Sequence, residues 1–232
     1  MARLPRLVVA GELHRVLLRG HAAQAVLEDP VDRDALVEAL RQALPGSGVA
    51  LHAYALMRNE AHLLVTPAQR DALGRLMQAV GRRFGSAHNR RCGRRGALWE
   101  GRFRCGVIEA ETYLIEATVL IESLPVQAGW VAQAADWRWS SASHHLGRFR
   151  DPLVSEHTAY WNIGNTPFER ERAHADLISR GVAPEVAMQL EAVVMRSHAL
   201  GGEAFLRRIG QAIDRPIGPG RRGRPPKAPE KP

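Results

Sequence analysis

The sequence predicts an α+β fold in which an antiparallel β-sheet carries helices on one face. Stretches of alternating apolar residues and stretches with apolar residues at helical spacing follow one another as strand, helix, strand, strand, helix, strand and helix. Only Arg58, Asn59 and Glu60 separate the second strand from the third, and this turn-like junction predicts an antiparallel hairpin. The order of elements is typical of a ferredoxin-like sheet.

The boundaries of these elements follow from turn and capping residues. The first strand has a break near Gly11 and ends at Gly20. Asp29-Pro30 opens the first helix, because aspartate caps helix N-termini and proline fits the first turn, and Pro45-Gly46 ends it. The last helix of the series is closed by Pro125. The predicted strands are residues 6–19, 49–57, 61–67 and 97–108, and the other two helices are residues 68–89 and 111–124.

Beyond the sheet the pattern changes twice. Residues 130–165 are predicted to be irregular, with Trp137 and Trp139 capping the core, and a helical pattern returns from Pro167 to about Ile213. The last residues are rich in Pro, Gly and Arg, so they lack the apolar surface needed to fold alone and are predicted to be disordered. The predicted organisation is a sheet domain at 1–150, a helical extension at 151–214 and a basic tail at 215–232.

The basic residues of the chain are concentrated in two segments. The 232 residues carry a net charge of +8. The segment from Arg82 to Arg104 contains eight arginines and one acidic residue, Glu100. The segment from Arg215 onward contains six basic residues and one acidic residue, Glu230. Like charges this close together repel each other, so a polyanionic partner, DNA, is predicted. The candidate DNA-binding residues are Arg82, Arg83, Arg90, Arg91, Arg94 and Arg95 in the first segment and Arg221, Arg222, Arg224 and Lys227 in the tail.

Further short patterns narrow the class of protein. The tail sequence Arg222-Gly223-Arg224-Pro225 resembles an AT-hook core, which is narrow enough for the minor groove of A·T-rich DNA. No apolar run reaches the roughly 18 residues of a membrane helix, so we expect a cytoplasmic, nucleoid-associated protein with no membrane partner. Cys92 and Cys105 are the only cysteines, which predicts neither a disulfide framework nor a zinc ligand set.

Four segments carry a resemblance to a known family. They are AYALMRNEAHLLV at 53–65, LWEGRFR at 98–104, TYLIEATVLIESLPVQAGW at 112–130 and DWRWSS at 136–141. In this order they resemble the REP-associated tyrosine transposases, which belong to the HUH single-strand transposases. The resemblance covers about residues 1–150 and implies an HUH transposase-like sheet that binds hairpin DNA.

The resemblance also implies a mechanism. A tyrosine attacks a phosphodiester of single-stranded DNA next to a hairpin and stays joined to the 5′ phosphate, while a divalent ion polarises that phosphate. A His-hydrophobic-His pair on a central strand holds the metal, because positions i and i+2 share one face of a sheet. A polar ligand one turn after the tyrosine completes the site, because positions i and i+4 share one face of a helix.

This chain departs from the family at those positions. Glu60 stands for the first histidine and His62 for the second, while Leu120 stands for the tyrosine and Leu124 for the helix-borne ligand. Glu60 and His62 are candidate ligands for Mg²⁺ or Mn²⁺ if any activity remains, although a lone strand histidine is more often structural. Tyr113 is the outside candidate for a nucleophile, but it lies about 10.5 Å from Leu120 along the helix. No intact catalytic set and no cofactor are therefore expected.

The sequence thus predicts a DNA-binding protein that recognises hairpin or single-stranded DNA and is unable to cleave it. Two alternatives stay open. One is an active transposase that uses Tyr113 or metal chemistry at Glu60 and His62. The other is an RNA-binding module, although the strands of this chain lack the aromatic pattern of RNA-binding sheets. The sequence also leaves open a homodimer. Trp99 and Phe103 are predicted to be core residues, and His144-His145 has no acidic partner at ligand spacing.

Overall fold

A five-stranded sheet organises the protein. The computed structural model describes residues 6–21, 25–213 and 217, and its strands lie in the order β2-β3-β1-β4-β5. The strands are β1 (Leu13–Arg19), β2 (Val49–Leu56), β3 (Glu60–Pro67), β4 (Arg104–Ile108) and β5 (Ala199–Leu200). The helices are α1 (Pro30–Ala43), α2 (Ala72–Arg91), α3 (Ala110–Gln127), α4 (Ala142–His145), α5 (Pro167–Arg180), α6 (Pro184–Arg196) and α7 (Glu203–Ala212), with 3₁₀ turns at Ala134–Asp136 and Thr158–Ile163.

The first four strands confirm the predicted ferredoxin-like order. β1 lies between β3 and β4 and is antiparallel to both, and β2 is antiparallel to β3 through the predicted hairpin. The helix after β1 begins where the sequence predicts, because the Asp29 side chain accepts a hydrogen bond from the Val31 amide at 2.9 Å. The α+β class is therefore confirmed.

Two features of the sheet differ from the prediction. The extension adds β5 parallel to β4, so the sheet is mixed rather than wholly antiparallel. Helices also cover both faces rather than one. Val16 and Leu18 of β1 pack into the core beneath α1 and α2, whereas Leu13 and Leu17 pack into a second core beneath α3 and α6. Successive strand residues point to opposite faces, so β1 serves both cores.

Three predicted boundaries were wrong for local reasons. β4 begins at Arg104 rather than near 97, because the preceding segment bends at Gly101, whose φ is +75°. α2 begins at Ala72 rather than near 68, after turns that follow β3. α3 continues to Gln127 with Pro125 inside it, because proline removes one amide donor and the Ala128 amide still reaches the Leu124 carbonyl at 2.9 Å.

The helical extension is built into the sheet. α6 lies against β4 at Gly106, where a Cβ atom would come within 2.5 Å of the Val193 carbonyl oxygen, so only glycine allows this approach. The predicted irregular stretch caps the core as expected, since the buried Trp137 donates its indole N–H to the Leu56 carbonyl at 3.1 Å. None of the helices in the described ranges has the length and apolarity of a membrane span.

Both long edges of the sheet are occupied. On one side, β5 bonds to β4, and the Ala199 amide donates to the Ile217 carbonyl at 2.9 Å. On the other side, the stretch after α3 runs along β2, where Ala55 and Ser140 form a β-bridge and the Leu56 amide donates to the Trp139 carbonyl at 2.9 Å. Chain segments from outside the ferredoxin-like unit therefore cover its edge strands.

Candidate functional site

The two candidate metal ligands lie together at the start of β3. Glu60 and His62 point to the face covered by α3 and α6, as does Leu64 two residues further along. Glu60 Oε2 and His62 Nε2 are 3.0 Å apart. His62 is buried, whereas the Glu60 side chain keeps 27% of its exposure. The two side chains are therefore in contact, as their i and i+2 spacing on one strand predicts.

Two arginines from β1 also reach this pair. In the antiparallel register Arg19 is opposite Glu60, and its Nε donates to Glu60 Oε1 at 2.6 Å. The guanidinium of Arg15 lies 3.4 Å from His62 Nδ1, is 1% exposed, and also donates to the Leu190 carbonyl at 2.9 Å and to Glu191 of α6. Each member of the pair therefore has a guanidinium group beside it as well as its partner.

These contacts determine the charge of each group. The hydrogen bond from His62 lowers the pKa of Glu60 to about 2, with further help from Arg19. Burial lowers the pKa of His62, and the nearby Arg15 charge acts in the same direction. Glu60 is therefore ionised and His62 neutral, and the hydrogen-bond partners assign the imidazole proton to Nε2. The lone pair of His62 Nδ1 points toward the Arg15 guanidinium.

The free energy of unfolding at acidic pH should depend on the Glu60 contacts. Because the pKa of folded Glu60 is about 2 against an ordinary 4.5, the ionised carboxylate stabilises the fold above the higher value, and the contribution is lost as pH falls toward the lower one. We expect Glu60→Gln to lower the free energy of unfolding by about 1–2 kcal/mol at neutral pH, after solvent screening. Urea unfolding at pH 7, 5 and 3.5 checks this: the difference should shrink below about pH 4.5, and a pH-independent difference would contradict it.

The position that the resemblance equates with the family's tyrosine, Leu120, is an apolar packing position. Leu120 is 5% exposed and lies in the core beneath α3 and α6, and Leu124 is half-buried one turn later. Of the three tyrosines of the chain, Tyr54 is buried and donates to Asp151 Oδ2 at 2.6 Å, and Tyr160 is 4% exposed. Tyr113 is half-buried near the start of α3 and packs against the same core. Tyr113 as an alternative nucleophile stays a prediction.

The arrangement has been compared with known proteins. No protein-family model matches the chain, and no curated protein matches it. The solved structure of a REP-associated tyrosine transposase bound to a REP hairpin superimposes with a TM-score of 0.53 at 19% identity, over 68% of this chain and 96% of that chain.

The chain has the fold of this transposase.

The resemblance predicted from the sequence is thus confirmed at the level of the fold. A second solved structure, a proposed transposase from Deinococcus radiodurans R1, is similar with a TM-score of 0.36 at 26% identity, over 49% of this chain and 91% of that chain.

On this fold, five of the arginines predicted to bind DNA lie along the second half of α2 and in the turn that follows it. We call this the α2 surface: Arg82, Arg83, Arg90, Arg94 and Arg95, all of which are exposed. Gly93 and Gly96 have φ values of +61° and +100°, which turn the chain back on itself after the helix. The Asn89 side chain donates to the Gly96 carbonyl at 3.0 Å and holds this turn against the helix.

Arg91 differs from the other predicted DNA contacts. Its guanidinium forms ion pairs with Asp29 and with the buried Asp32, and these contacts raise its pKa. Asp32 also bonds to the buried His88 at 2.9 Å. Arg91 therefore ties α2 to the start of α1. In the described part of the chain, Arg82, Arg83, Arg90 and Arg95 form no such ion pair.

The remaining sequence predictions divide into three groups. Trp99 and Phe103 pack against the core beneath α1 and α2, as predicted, with the Trp99 ring 5.6 Å from that of Phe84. The prediction for the histidine pair was wrong, because Glu122 Oε1 lies 2.7 Å from His145 Nδ1. The tail residues lie outside the described part of the chain: Arg221, Arg222, Arg224 and Lys227, together with the disorder predicted for them.

Sequence reasoning missed Arg15, Arg19 and Glu191 altogether. In the sequence the two arginines are indistinguishable from ordinary polar residues of the first strand. Glu191 lies in a helix, and the sequence does not indicate that this helix packs against the sheet. The only available signal was that Arg15 and Arg19 alternate with apolar residues on one face of β1. That spacing matches the register of Glu60 and His62 once β1 and β3 are known to pair.

Proposed function

We propose that the protein binds hairpin or single-stranded DNA on a transposase fold and does not cleave it. The observation that carries the proposal is the contact of Arg15 and Arg19 with His62 and Glu60, on the face where the family binds its metal ion. A divalent ion bound by Glu60 and His62 would have to replace hydrogen bonds that both residues already make, and it would lie close to the positive charges of Arg15 and Arg19. This arrangement supports a site that no longer holds the ion needed for cleavage.

Loss of the nucleophile leads to the same conclusion by a separate route. Phosphodiester cleavage by this mechanism needs an oxygen nucleophile whose attack the metal assists. Leu120 has no such oxygen and is packed in the core. Restoring either the metal or the nucleophile alone would leave the reaction incomplete, so the two losses support the proposal independently.

DNA binding is supported by charge and by fold. The α2 surface presents several exposed guanidinium groups with little acid among them, the arrangement that contacts phosphates. The transposase of the same fold is bound to a REP hairpin, and we extend that class of ligand to this chain. We further propose that the tail sequence Arg222-Gly223-Arg224-Pro225 adds contacts to A·T-rich duplex, consistent with a nucleoid-associated protein.

A covalent-adduct assay tests the proposal. We expect the purified protein to shift a labelled single-stranded DNA hairpin in a native gel, and to yield neither a cleaved strand nor a denaturant-resistant adduct with Mg²⁺ or Mn²⁺. An adduct that maps to Tyr113 would show that the protein is an active transposase. Tighter binding to an RNA hairpin of the same sequence would favour the RNA-binding alternative.

A further inference from the structure

A second cluster of ionisable side chains lies away from the Glu60 face. Glu122 of α3, His145 of α4 and His174 of α5 meet inside the protein, with donor atoms that all lie within 4.8 Å of one another. Glu122 Oε1 is 2.7 Å from His145 Nδ1, and Glu122 Oε2 is 2.7 Å from His174 Nε2. None of these residues belongs to the proposed DNA-binding or vestigial cleavage sites.

The cluster is sealed from solvent. Glu122 and His174 have no exposed surface, and His145 is 4% exposed. Burial by itself would raise the pKa of Glu122, but His145 and His174 outweigh it, and the net effect is a lowered pKa. The carboxylate is therefore ionised. Its polar partners among the described residues are the two imidazoles and the Ser141 hydroxyl, with no lysine or arginine. An ionised carboxylate buried here needs a cation beside it, which either a protonated imidazole of the pair or a bound metal ion would supply.

The donor set is that of a zinc site. Zinc is bound by imidazole nitrogens at about 2.0–2.1 Å and by carboxylate oxygens at about 2.0–2.2 Å, and sets of two imidazoles and one carboxylate with an open fourth position occur in catalytic zinc sites. Placing the ion between the donors requires the carboxylate–imidazole separations to open from 2.7 Å to about 3.3 Å for tetrahedral geometry. Ser141 donates to Glu122 and would orient the carboxylate as an outer partner.

A fourth group lies in the same cluster. The Tyr160 ring is 4.8 Å from the His145 ring and 5.7 Å from the His174 ring. Tyr160 is 4% exposed, and its hydroxyl has no hydrogen-bond partner within the described residues. Buried hydroxyls in proteins are nearly always hydrogen-bonded, so an unpartnered hydroxyl on a ring beside the cluster is unusual.

We propose that Glu122, His145 and His174 bind one zinc ion. The ion would neutralise the buried carboxylate and join α3 of the sheet domain to α4 and to α5 of the extension. Its role would be structural, because the cluster is closed to a macromolecular substrate. The proposal is independent of the proposed DNA-binding function, since the two share no residue.

Metal analysis of the full-length, tag-free protein tests the zinc site. After expression with added zinc and dialysis against zinc-free buffer, we expect about one zinc per chain by mass spectrometry. Chelation should lower Tm, and zinc at about a hundredfold above its dissociation constant should restore it by roughly 5–10 °C. Wild-type protein that carries no zinc and whose Tm does not respond to zinc would overturn the proposal.

Variants locate the site. His174→Gln should abolish the stoichiometric zinc, whereas His21→Gln, at an exposed histidine, should retain it and controls for surface binding. Full zinc content in His174→Gln would also overturn the proposal. If that variant fails to fold, the visible absorption spectrum of the wild-type protein loaded with Co²⁺ tests the site instead. We expect the d–d bands of tetrahedral Co²⁺, and the spectrum of hydrated octahedral Co²⁺ would contradict the site.

Discussion

Replacing Arg82, Arg83, Arg90 and Arg95 with alanine should weaken binding to hairpin DNA by roughly a hundredfold to a thousandfold at physiological salt. Each phosphate contact releases condensed counterions, so its loss also flattens the dependence of log Kd on log salt by about 0.7–0.9 per contact. The four residues are exposed on the second half of α2 and in the turn after it, so the fold should be unaffected. Fluorescence anisotropy over a salt series measures both quantities.

The matched control carries the same change in net charge on another surface. Arg172, Arg180, Arg196 and Arg207 are exposed on the extension, and their replacement by alanine should reduce affinity by less than about tenfold. Equal losses in the two variants would assign hairpin binding to overall charge rather than to the α2 surface. A third variant with alanine in place of the tail arginines should lose affinity for A·T-rich duplex while retaining most of its affinity for the hairpin.

Rebuilding the cleavage residues implied by the resemblance should yield a protein that forms a phosphotyrosine adduct. The variant combines Glu60→His, Leu120→Tyr and Leu124→Asn with Arg15→Met. The last change is needed because the Arg15 guanidinium would still bond to His62 and repel the incoming ion. Methionine retains the apolar stem, and Glu191, at 44% side-chain exposure, can be solvated once its partner is removed.

The variant with the first three changes alone is the matched control. It should bind hairpin DNA and remain inactive with Mn²⁺, because the Arg15 guanidinium still lies beside His62 and repels the ion. Leu120→Tyr places a larger, polar side chain in the core and is expected to destabilise the fold by about 1–3 kcal/mol, so circular dichroism melts accompany the assay. Adduct formation by the three-change variant would refute the role of Arg15. A folded four-change variant that binds hairpin DNA without cutting it would refute the assignment of these positions.

The sheet and its helices are largely predictable because their signals are local. The alternating residues of β2, the apolar run of β3 and the three-residue junction between them are sufficient to identify the hairpin. Asp29-Pro30 marks the start of α1 through a hydrogen bond that spans only two residues. The contact between Glu60 and His62 follows in the same way, because strand geometry alone places i and i+2 on one face.

The features that were not predictable depend on contacts between distant residues. Arg15 is neutralised by Glu191, which is 176 positions away, and nothing near either residue indicates the other. β5 has two residues, too few for any periodic pattern, and joins the sheet only because α6 brings the chain back to β4. His145 lacks an acidic neighbour in sequence, and its partner Glu122 is supplied by the packing of α3 against α4.

The occupied edges of the sheet bear on how copies of this protein can meet. An open edge strand offers unpaired amides and carbonyls to another molecule, which is a common route to aggregation and to strand exchange. Here β5 covers one side, while residues near Trp139 and Ser140 cover the other. We therefore expect the folded chain to resist joining sheets with a second copy, and a homodimer of it would have to form through helix or loop surfaces.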